Sequence, residues 1–236
     1  MNGCERLQGV AAVIRFVTGT DTGVGKTLAA AALCRAERRA GRMVLYVKPV
    51  QTGLEPGQPG DAAFVAAVAG VPVVECLRFS DPLAPAVAAE RARAVIDVDG
   101  LVADVEKAGD GFDRVVVEGA GGLLVPLWGD TTMADVAERL GAGLVVVTRP
   151  TLGTLNHTAL TVEAARRRGL PVDGLVICGW PSDPGVTEQT NLERLTAMAP
   201  VLGLLPAYPD LDTADPTTAP TELAFLGVGF ARGAGG

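Results

Sequence analysis

The chain has 236 residues and a formal net charge of −7, and 48% of its residues are hydrophobic while only 4% are aromatic. This length suits one large domain with a full core, and the apolar composition excludes a disordered chain. The acidic balance argues against nucleic acid and acidic membrane surfaces as partners, so an anionic ligand needs a local pocket.

Short, uniformly apolar, valine-rich runs are typical of strands buried on both faces of a parallel sheet. The predicted strands are 12–18, 43–47, 113–117, 143–148, 172–177 and 201–205. The alanine-rich stretches between them predict helices at 26–40, 61–69, 133–140, 156–168 and 186–199. This alternation predicts an α/β fold, a doubly wound, mostly parallel sheet with helices on both faces, in a single domain over 1–236.

Local signals mark turns and helix ends. Thr132 and Asp135 have the spacing of a capping box, in which a hydroxyl and an acid satisfy exposed amides reciprocally. Stretches 53–60 and 206–220 are rich in proline and glycine and predict loops, and 1–11 is predicted to be an N-terminal extension.

The cysteines are scattered and the chain has a single histidine, His157, so the sequence predicts reduced thiols and no zinc site. A lone histidine in the first turn of a helix is more often structural than catalytic. The sequence has neither an export signal nor an apolar run of about 18 residues, which predicts a cytoplasmic protein.

Residues 19–27 read GTDTGVGKT, between a predicted strand and a predicted helix. The usual phosphate loop, G-x-x-x-x-G-K-[ST], would begin at Thr20, whereas the first glycine here is Gly19. In this context the loop amides face phosphates, Lys26 reaches the terminal phosphates and Thr27 binds magnesium. The alternative is an ordinary glycine-rich turn with a solvated lysine.

Lysine is scarce, which favours the phosphate loop over the ordinary turn. Only three of the 20 basic residues are lysines, and two of these, Lys26 and Lys48, lie in motifs that follow predicted strands. The carboxyl ends of parallel strands share one edge, where ligands collect. Glu118 and Asp61 are candidate magnesium ligands at that edge. The alternatives are a solvated strand-end acid for Glu118, a helix N-cap for Asp61 and a surface charge for Lys48.

Four motifs, GTDTGVGKT, KPVQTG, VEGAGGLLVPL and LGTLNH, resemble in this order the dethiobiotin synthetase family over about residues 12–205. The family has a P-loop NTPase-like fold, and its phosphate loop carries one more residue between the outer glycines than the usual pattern. The resemblance implies an ATP-dependent cyclo-ligase with Mg²⁺, acting as a homodimer. In its reaction, CO2 carbamates 7,8-diaminononanoate, the carbamate takes the γ-phosphoryl group of ATP, and the second amine closes the ring.

The resemblance also implies roles for individual residues. The catalytic residues are Thr22, Lys26 and Lys48, and the metal ligands are Thr27, Asp61 and Glu118. The nucleotide-binding residues are Gly23, Val24, Gly25, Lys26, Thr27, Gly179, Trp180 and Pro206, with the segment 206–236 near the base. The substrate-binding residues are Thr22, Lys48, Thr52, Gly119, Gly122, Gly153, Thr154, Leu155 and Asn156, of which the last four reach the site of the neighbouring subunit.

One departure and two rival classes stay open at this point. Family members that prefer adenine carry an Asn-Asp pair where this chain has Gly179 and Trp180, so a relaxed base preference is a hypothesis. Partition and septum-positioning ATPases share the fold, but they carry a lysine early in the phosphate loop. The corresponding residues of this chain, 18–22, include no lysine. An amidotransferase of the cobyrinic acid type needs a glutaminase domain, for which 236 residues leave no room.

Overall fold

The computed structural model describes residues 12–207, and a seven-stranded sheet forms the centre of this part of the chain. The strands are β1 (Val13–Gly19), β2 (Val44–Thr52), β3 (Val73–Phe79), β4 (Arg114–Gly122), β5 (Pro126–Trp128), β6 (Thr131–Thr132), β7 (Gly143–Thr148), β8 (Val172–Trp180) and β9 (Val201–Pro206). The helices are α1 (Lys26–Arg39), α2 (Asp61–Ala69), α3 (Pro85–Arg91), α4 (Val98–Ala108), α5 (Met133–Arg139), α6 (Thr154–Arg167) and α7 (Val186–Met198).

The strand order in the large sheet is β3-β2-β4-β1-β7-β8-β9, and every neighbouring pair is parallel. Strands β5 and β6 form a separate antiparallel pair. Because β1 lies in the middle, with β2, β3 and β4 on one side and β7, β8 and β9 on the other, the sheet is doubly wound. The predicted α/β fold is confirmed.

Two hydrophobic cores cover the two faces of the sheet. Successive residues of β7 alternate between them: Leu144 and Val146 belong to one core, and Val145 and Val147 to the other. Helices α1 and α2 pack on the second core, while α3 to α7 contribute to the first. Burial on both faces explains why the strands read as continuous apolar runs.

The capping box predicted at the start of α5 is present. The backbone N–H of Thr132 donates to Asp135 Oδ2 at 2.7 Å, and the helix begins at the next residue, Met133. Arg168 also donates to this carboxylate, at 2.9 Å. Partial burial raises the pKa of Asp135, but the hydrogen bonds from the Thr132 hydroxyl, the Thr132 N–H and Arg168 outweigh it and lower that pKa.

Sequence reasoning missed part of the architecture. The predicted elements leave out β3, α3, α4 and the β5-β6 pair, and the strands that carry the second and third motifs run further than predicted, to Thr52 and Gly122. Extensions 1–11 and 208–236 lie outside the described residues, so the extent of the single predicted domain stays a prediction. Within the described part of the chain, no helix is long and apolar enough to cross a membrane.

Candidate active site

A cavity of about 550 Å³ opens at the carboxyl edge of the sheet. It forms where β2 and β4 separate, since these strands pair only as far as Val47 and Val117. Pro49, two residues further along β2, has no N–H to offer a neighbouring strand. The residues that line the cavity are 22–28, Lys48, 50–52, Asp61, Phe64, Glu118, Ala120, Gly121, 149–151, Cys178, Gly179, Pro206 and Ala207.

The phosphate-loop motif forms the tight turn between β1 and α1 that its glycines predict. Gly23 and Gly25 have positive φ angles of 69° and 95°, and Gly25 is the N-cap of α1. A Cβ on Gly25 would lie 2.8 Å from Cys178 Cβ, so a larger residue there meets both backbone strain and a clash. The loop is tied to β7 by the Thr20 N–H, which donates to the Val147 carbonyl at 2.9 Å.

Lys26 is only 8% exposed, and its Nζ donates to the Asp21 carbonyl of its own loop at 3.0 Å. Within residues 12–207 it forms no ion pair. Burial lowers the pKa of Lys26, and the charge of Glu118 opposes that effect. A buried ammonium without an ion-pair partner is costly, so this position favours an anion.

The second lysine has the opposite environment, because it lies between two carboxylates. Lys48 Nζ is 2.6 Å from Asp61 Oδ2 and 2.8 Å from Glu118 Oε1. Thr27 Oγ1 donates to the same Glu118 oxygen at 3.0 Å. The hydroxyl and the two carboxylates predicted to bind metal therefore meet around one cation, the Lys48 ammonium.

Opposite charges decide the protonation of this group. Burial by itself lowers the pKa of Lys48, but the charges of Glu118 and Asp61 outweigh it and hold the pKa above its usual value. Burial likewise tends to raise the pKa of Asp61, and the Lys48 ammonium reverses this and lowers it. Lys48 is thus a cation and Asp61 an anion at neutral pH.

These oxygens fit magnesium. Within residues 12–207, no group of three or more His, Cys, Asp or Glu residues is placed to hold a metal ion. The site instead offers two carboxylates and one hydroxyl, which suits an ion that keeps several waters and binds phosphate oxygens. A cation is already accommodated between the two carboxylates, at Lys48 Nζ.

Two supporting residues were not predicted. The fully buried Tyr46 donates from its hydroxyl to Glu118 Oε2 at 2.8 Å. Gln51 Oε1 accepts from the Asp61 backbone N–H at 3.1 Å, at the first residue of α2. A signal for Tyr46 existed, because residues i and i+2 of a strand share a face, and Tyr46 precedes Lys48 by two.

The remaining predicted substrate residues divide into two groups. Thr22 and Thr52 line the cavity. Gly119 and Gly122 do not, although Ala120 and Gly121 between them do.

The Cα of Gly119 faces the core, where a Cβ would lie 2.8 Å from the ring of Phe16. A Cβ on Gly122 would meet the Gly19 carbonyl at 3.4 Å. The first contact is too close for a side chain, so Gly119 permits close packing of β4 beside Phe16 of β1, whereas the contact at Gly122 is an ordinary van der Waals distance.

The residues predicted at the nucleotide base also divide. Gly179, with a φ of 83°, and Pro206 line the cavity. Trp180 is buried in the hydrophobic core and is not among the lining residues. The indole therefore faces the core in this structure, and the assignment of Trp180 to the nucleotide stays a prediction.

The LGTLNH motif opens α6, as predicted, with Gly153 as the N-cap. Gly153, Thr154, Leu155 and Asn156 lie outside the cavity of their own chain. Thr154 is buried, and its hydroxyl is 2.7 Å from that of Thr148. Asn156 and His157 are exposed.

Two solved structures of low sequence identity illustrate the similarity of fold. The cell division ATPase MinD of Pyrococcus furiosus has a TM-score of 0.56 at 20% identity, covering 90% of this chain and 90% of its own. The septum site-determining protein MinD of Pyrococcus horikoshii, complexed with Mg-ADP, has a TM-score of 0.57 at 19% identity, with 90% and 88% covered. This likeness shows the fold alone.

Sequence comparisons are more specific. Residues 15–215 match a family model described as an AAA domain. The ATP-dependent dethiobiotin synthetase of Rhodococcus jostii is 48% identical over 199 residues, which cover 82% of this chain and 86% of the relative. Two further relatives have the same name. The synthetase of Mycobacterium sp. strain KMS is 49% identical, with 82% of this chain and 87% of the relative covered, and that of Frankia casuarinae is 46% identical, with 81% and 82% covered. With this site geometry and these relatives, the chain belongs to the dethiobiotin synthetase family.

Proposed function

We propose that the chain is an ATP-dependent cyclo-ligase that closes the ureido ring of dethiobiotin from 7,8-diaminononanoate and CO2. The observation that carries the proposal is the pair of buried lysines. Lys26 sits in the phosphate loop without an ion-pair partner among residues 12–207, and Lys48 sits between two carboxylates that line the same cavity. A triphosphate and a carbamate are both anions, and two cations in one cavity allow them to meet.

The nucleotide occupies the phosphate loop in this proposal. Backbone amides of 23–27 and the N-terminus of α1 bind the phosphates, and Lys26 neutralises the terminal ones. The base lies toward Gly179 and Pro206. Gly179 carries no side chain to read a base edge, which supports a relaxed base preference.

Magnesium would be held by Thr27, Asp61 and Glu118. When bound, the ion neutralises phosphate charge that would otherwise repel the attacking carbamate. Tyr46 occupies Glu118 Oε2, so the carboxylate is held in one orientation with Oε1 toward the cavity. Gln51 accepts a hydrogen bond from the backbone N–H of Asp61, the first residue of α2, and so holds Asp61 in place.

Lys48 has a second task, together with Thr22 and Thr52. Its ammonium is the cation available to an acceptor carbamate, with Thr22 beside the carbamate and Thr52 near the transferred phosphoryl group. The carbamate oxygen displaces ADP from the γ-phosphorus and forms a carbamic-phosphoric anhydride. The second amine then attacks its carbonyl carbon and expels phosphate. The flexible four-carbon stem of lysine lets the ammonium turn from the carboxylates to the carbamate.

The substrate carboxylate is assigned to the start of α6 in a neighbouring subunit, through Gly153 to Asn156, so we propose a homodimer. Free amides at a helix N-terminus bind carboxylates. Nearby leucines support an interface, because Leu152 is 91% exposed and Leu160 is 59% exposed. Light scattering of the purified protein tests this, with a mass near twice 24.1 kDa expected. Cytoplasmic location stays a prediction.

The activity is tested by product analysis. The enzyme is incubated with 7,8-diaminononanoate, carbon-13 bicarbonate and MgATP, and dethiobiotin carrying one carbon-13 atom is expected by mass spectrometry. Lys26→Met and Lys48→Met should each lower the rate by at least about a hundredfold, since each removes a cation from a charged transition state. Lys107→Met is the matched control, because Lys107 is exposed on α4, away from the cavity. Unlabelled or absent product contradicts the proposal.

A further inference from the structure

A third cation, Arg149, lines the cavity and has no role in the proposed reaction. It directly follows β7, and its side chain is exposed. Its Nη2 donates to the carbonyl of Gly23 at 2.7 Å, and a Cβ on Gly23 would lie 3.3 Å from the same atom. The guanidinium therefore lies against the phosphate loop, 126 residues away in sequence.

The backbone of Arg149 is fixed on both sides. Its amino side continues β7, and its carboxyl side is Pro150, which restricts the residue before it to extended conformations. Asn191 of α7, only 6% exposed, donates from Nδ2 to the Pro150 carbonyl at 2.8 Å and to the Thr151 carbonyl at 3.3 Å. Because the backbone is anchored and the side chain is held at Gly23, the charge has a defined position at the cavity.

Its charge is also available to a ligand. Of the three lysine and arginine residues that line the cavity, Lys48 is paired with two carboxylates. Arg149 forms no ion pair with any residue between 12 and 207, and its bond to Gly23 uses one of its five N–H donors. A guanidinium with free donors matches the geometry of phosphate oxygens, which it can bind in pairs. In a chain of net charge −7, an unpaired cation at the mouth of a cavity favours an anionic ligand.

We propose that Arg149 is a further nucleotide-binding residue, whose guanidinium contacts the phosphate groups while it holds the phosphate loop at Gly23. The proposal rests on the proposed function, since it assigns the phosphate loop to a nucleotide. It differs from a purely structural tether, which would use the hydrogen bond to Gly23 and leave the charge without a ligand.

Binding measurements on two variants separate these roles. Arg149→Gln removes the charge and keeps an amide donor, whereas Arg149→Lys keeps the charge and loses the planar fork. Arg166→Ala is the matched control, because Arg166 Nη2 also donates to a backbone carbonyl at 2.7 Å, that of Met198, away from this cavity. Dissociation constants for MgATP, MgADP and adenosine are measured by displacement of a fluorescent ADP analogue, with thermal unfolding as a check on folding.

We expect Arg149→Gln to weaken the binding of ATP and ADP about tenfold and to leave the affinity for adenosine unchanged, because a charge-assisted contact to phosphate is lost. Arg149→Lys should retain part of the affinity, and Arg166→Ala all of it. Raising the salt concentration should weaken ATP binding more in the wild type than in Arg149→Gln.

Wild-type affinity for ATP and ADP in Arg149→Gln would overturn the inference, as would an equal loss for adenosine, which carries no phosphate. Failure of the wild type to bind any nucleotide is a different result and would overturn the proposed function itself.

Discussion

Tyr46→Phe is the most informative single change near the proposed metal ligands, because it removes one hydroxyl and preserves the ring. Tyr46 is fully buried, and its hydroxyl is the partner of Glu118 Oε2 at 2.8 Å. Lys48 and Thr27 use the other oxygen, Oε1. The variant therefore leaves one oxygen of a buried carboxylate without this donor.

The magnitude follows from the charge of the acceptor. A hydrogen bond to a charged group contributes about 1.5–3 kcal/mol, so we expect Tyr46→Phe to lower the free energy of unfolding by about 2 kcal/mol. For a chain of this size that corresponds to about 4–8 °C in Tm. We also expect a several-fold weaker affinity for MgADP, because the carboxylate loses a contact that holds its orientation.

Urea denaturation at neutral pH, with calorimetry for Tm, gives the stability, and titration with MgADP gives the affinity. A double-mutant cycle with Glu118→Gln isolates the coupling between the two side chains, which should be about 1 kcal/mol or more. A loss below about 0.5 kcal/mol, within the range of ordinary surface changes, would refute the reasoning that Tyr46 anchors Glu118.

Three further predictions concern the α5 cap, the phosphate loop and the proposed base site. Asp135→Asn should lower the free energy of unfolding by about 1 kcal/mol at pH 7 by urea denaturation. Because the folded pKa of Asp135 is lowered, the difference should be present above the usual aspartate pKa and disappear as pH falls through the folded pKa. Gly25→Ala should weaken the binding of ADP at least about tenfold, as measured by titration. The φ angle at Gly25 is 95°, and a Cβ there would clash with Cys178. Steady-state rates with ATP, GTP, CTP and UTP should lie within about tenfold of one another, because Gly179 offers only backbone to the base.

Each of these has its own contradicting result. A destabilisation by Asp135→Asn that persists in acid would mean that the charge is not the cause. Gly41→Ala is the control for the loop, because Gly41 also has a positive φ, 81°, but no atom within 4 Å of its Cβ position. Equal losses of ADP affinity in both glycine variants would contradict a local clash. Turnover with ATP alone would exclude the relaxed base preference.

The sequence predicts the central sheet well because its strands are buried on both faces. Strand β3 was missed since it is an edge strand of partly buried residues that include Glu75 and Arg78, whose side chains pair at 2.6 Å. Its mixture of charged and apolar residues does not give the uniform apolar run that marks the inner strands. Helix α3, which begins at Pro85, is also not predicted from the sequence.

At the site, local motifs place Lys26, Lys48 and Glu118 at one edge of the sheet but do not show which atoms meet. The separation of β2 from β4 beyond Val47 places Lys48 between Asp61 and Glu118, and that depends on strand pairing. The contact of Arg149 with Gly23 joins two distant segments through the order of β1 and β7. Such contacts follow from topology, which a motif read along the chain does not contain.

Phosphate release from MgATP, with MgCTP in parallel, tests the central claim most directly. It is measured with 7,8-diaminononanoate and bicarbonate supplied together, separately and not at all. We predict release only when both are present, because the proposed acceptor of the phosphoryl group is a carbamate formed from them. Steady hydrolysis that is indifferent to both would contradict it and would instead indicate a nucleotide-driven switch of the partition ATPase class.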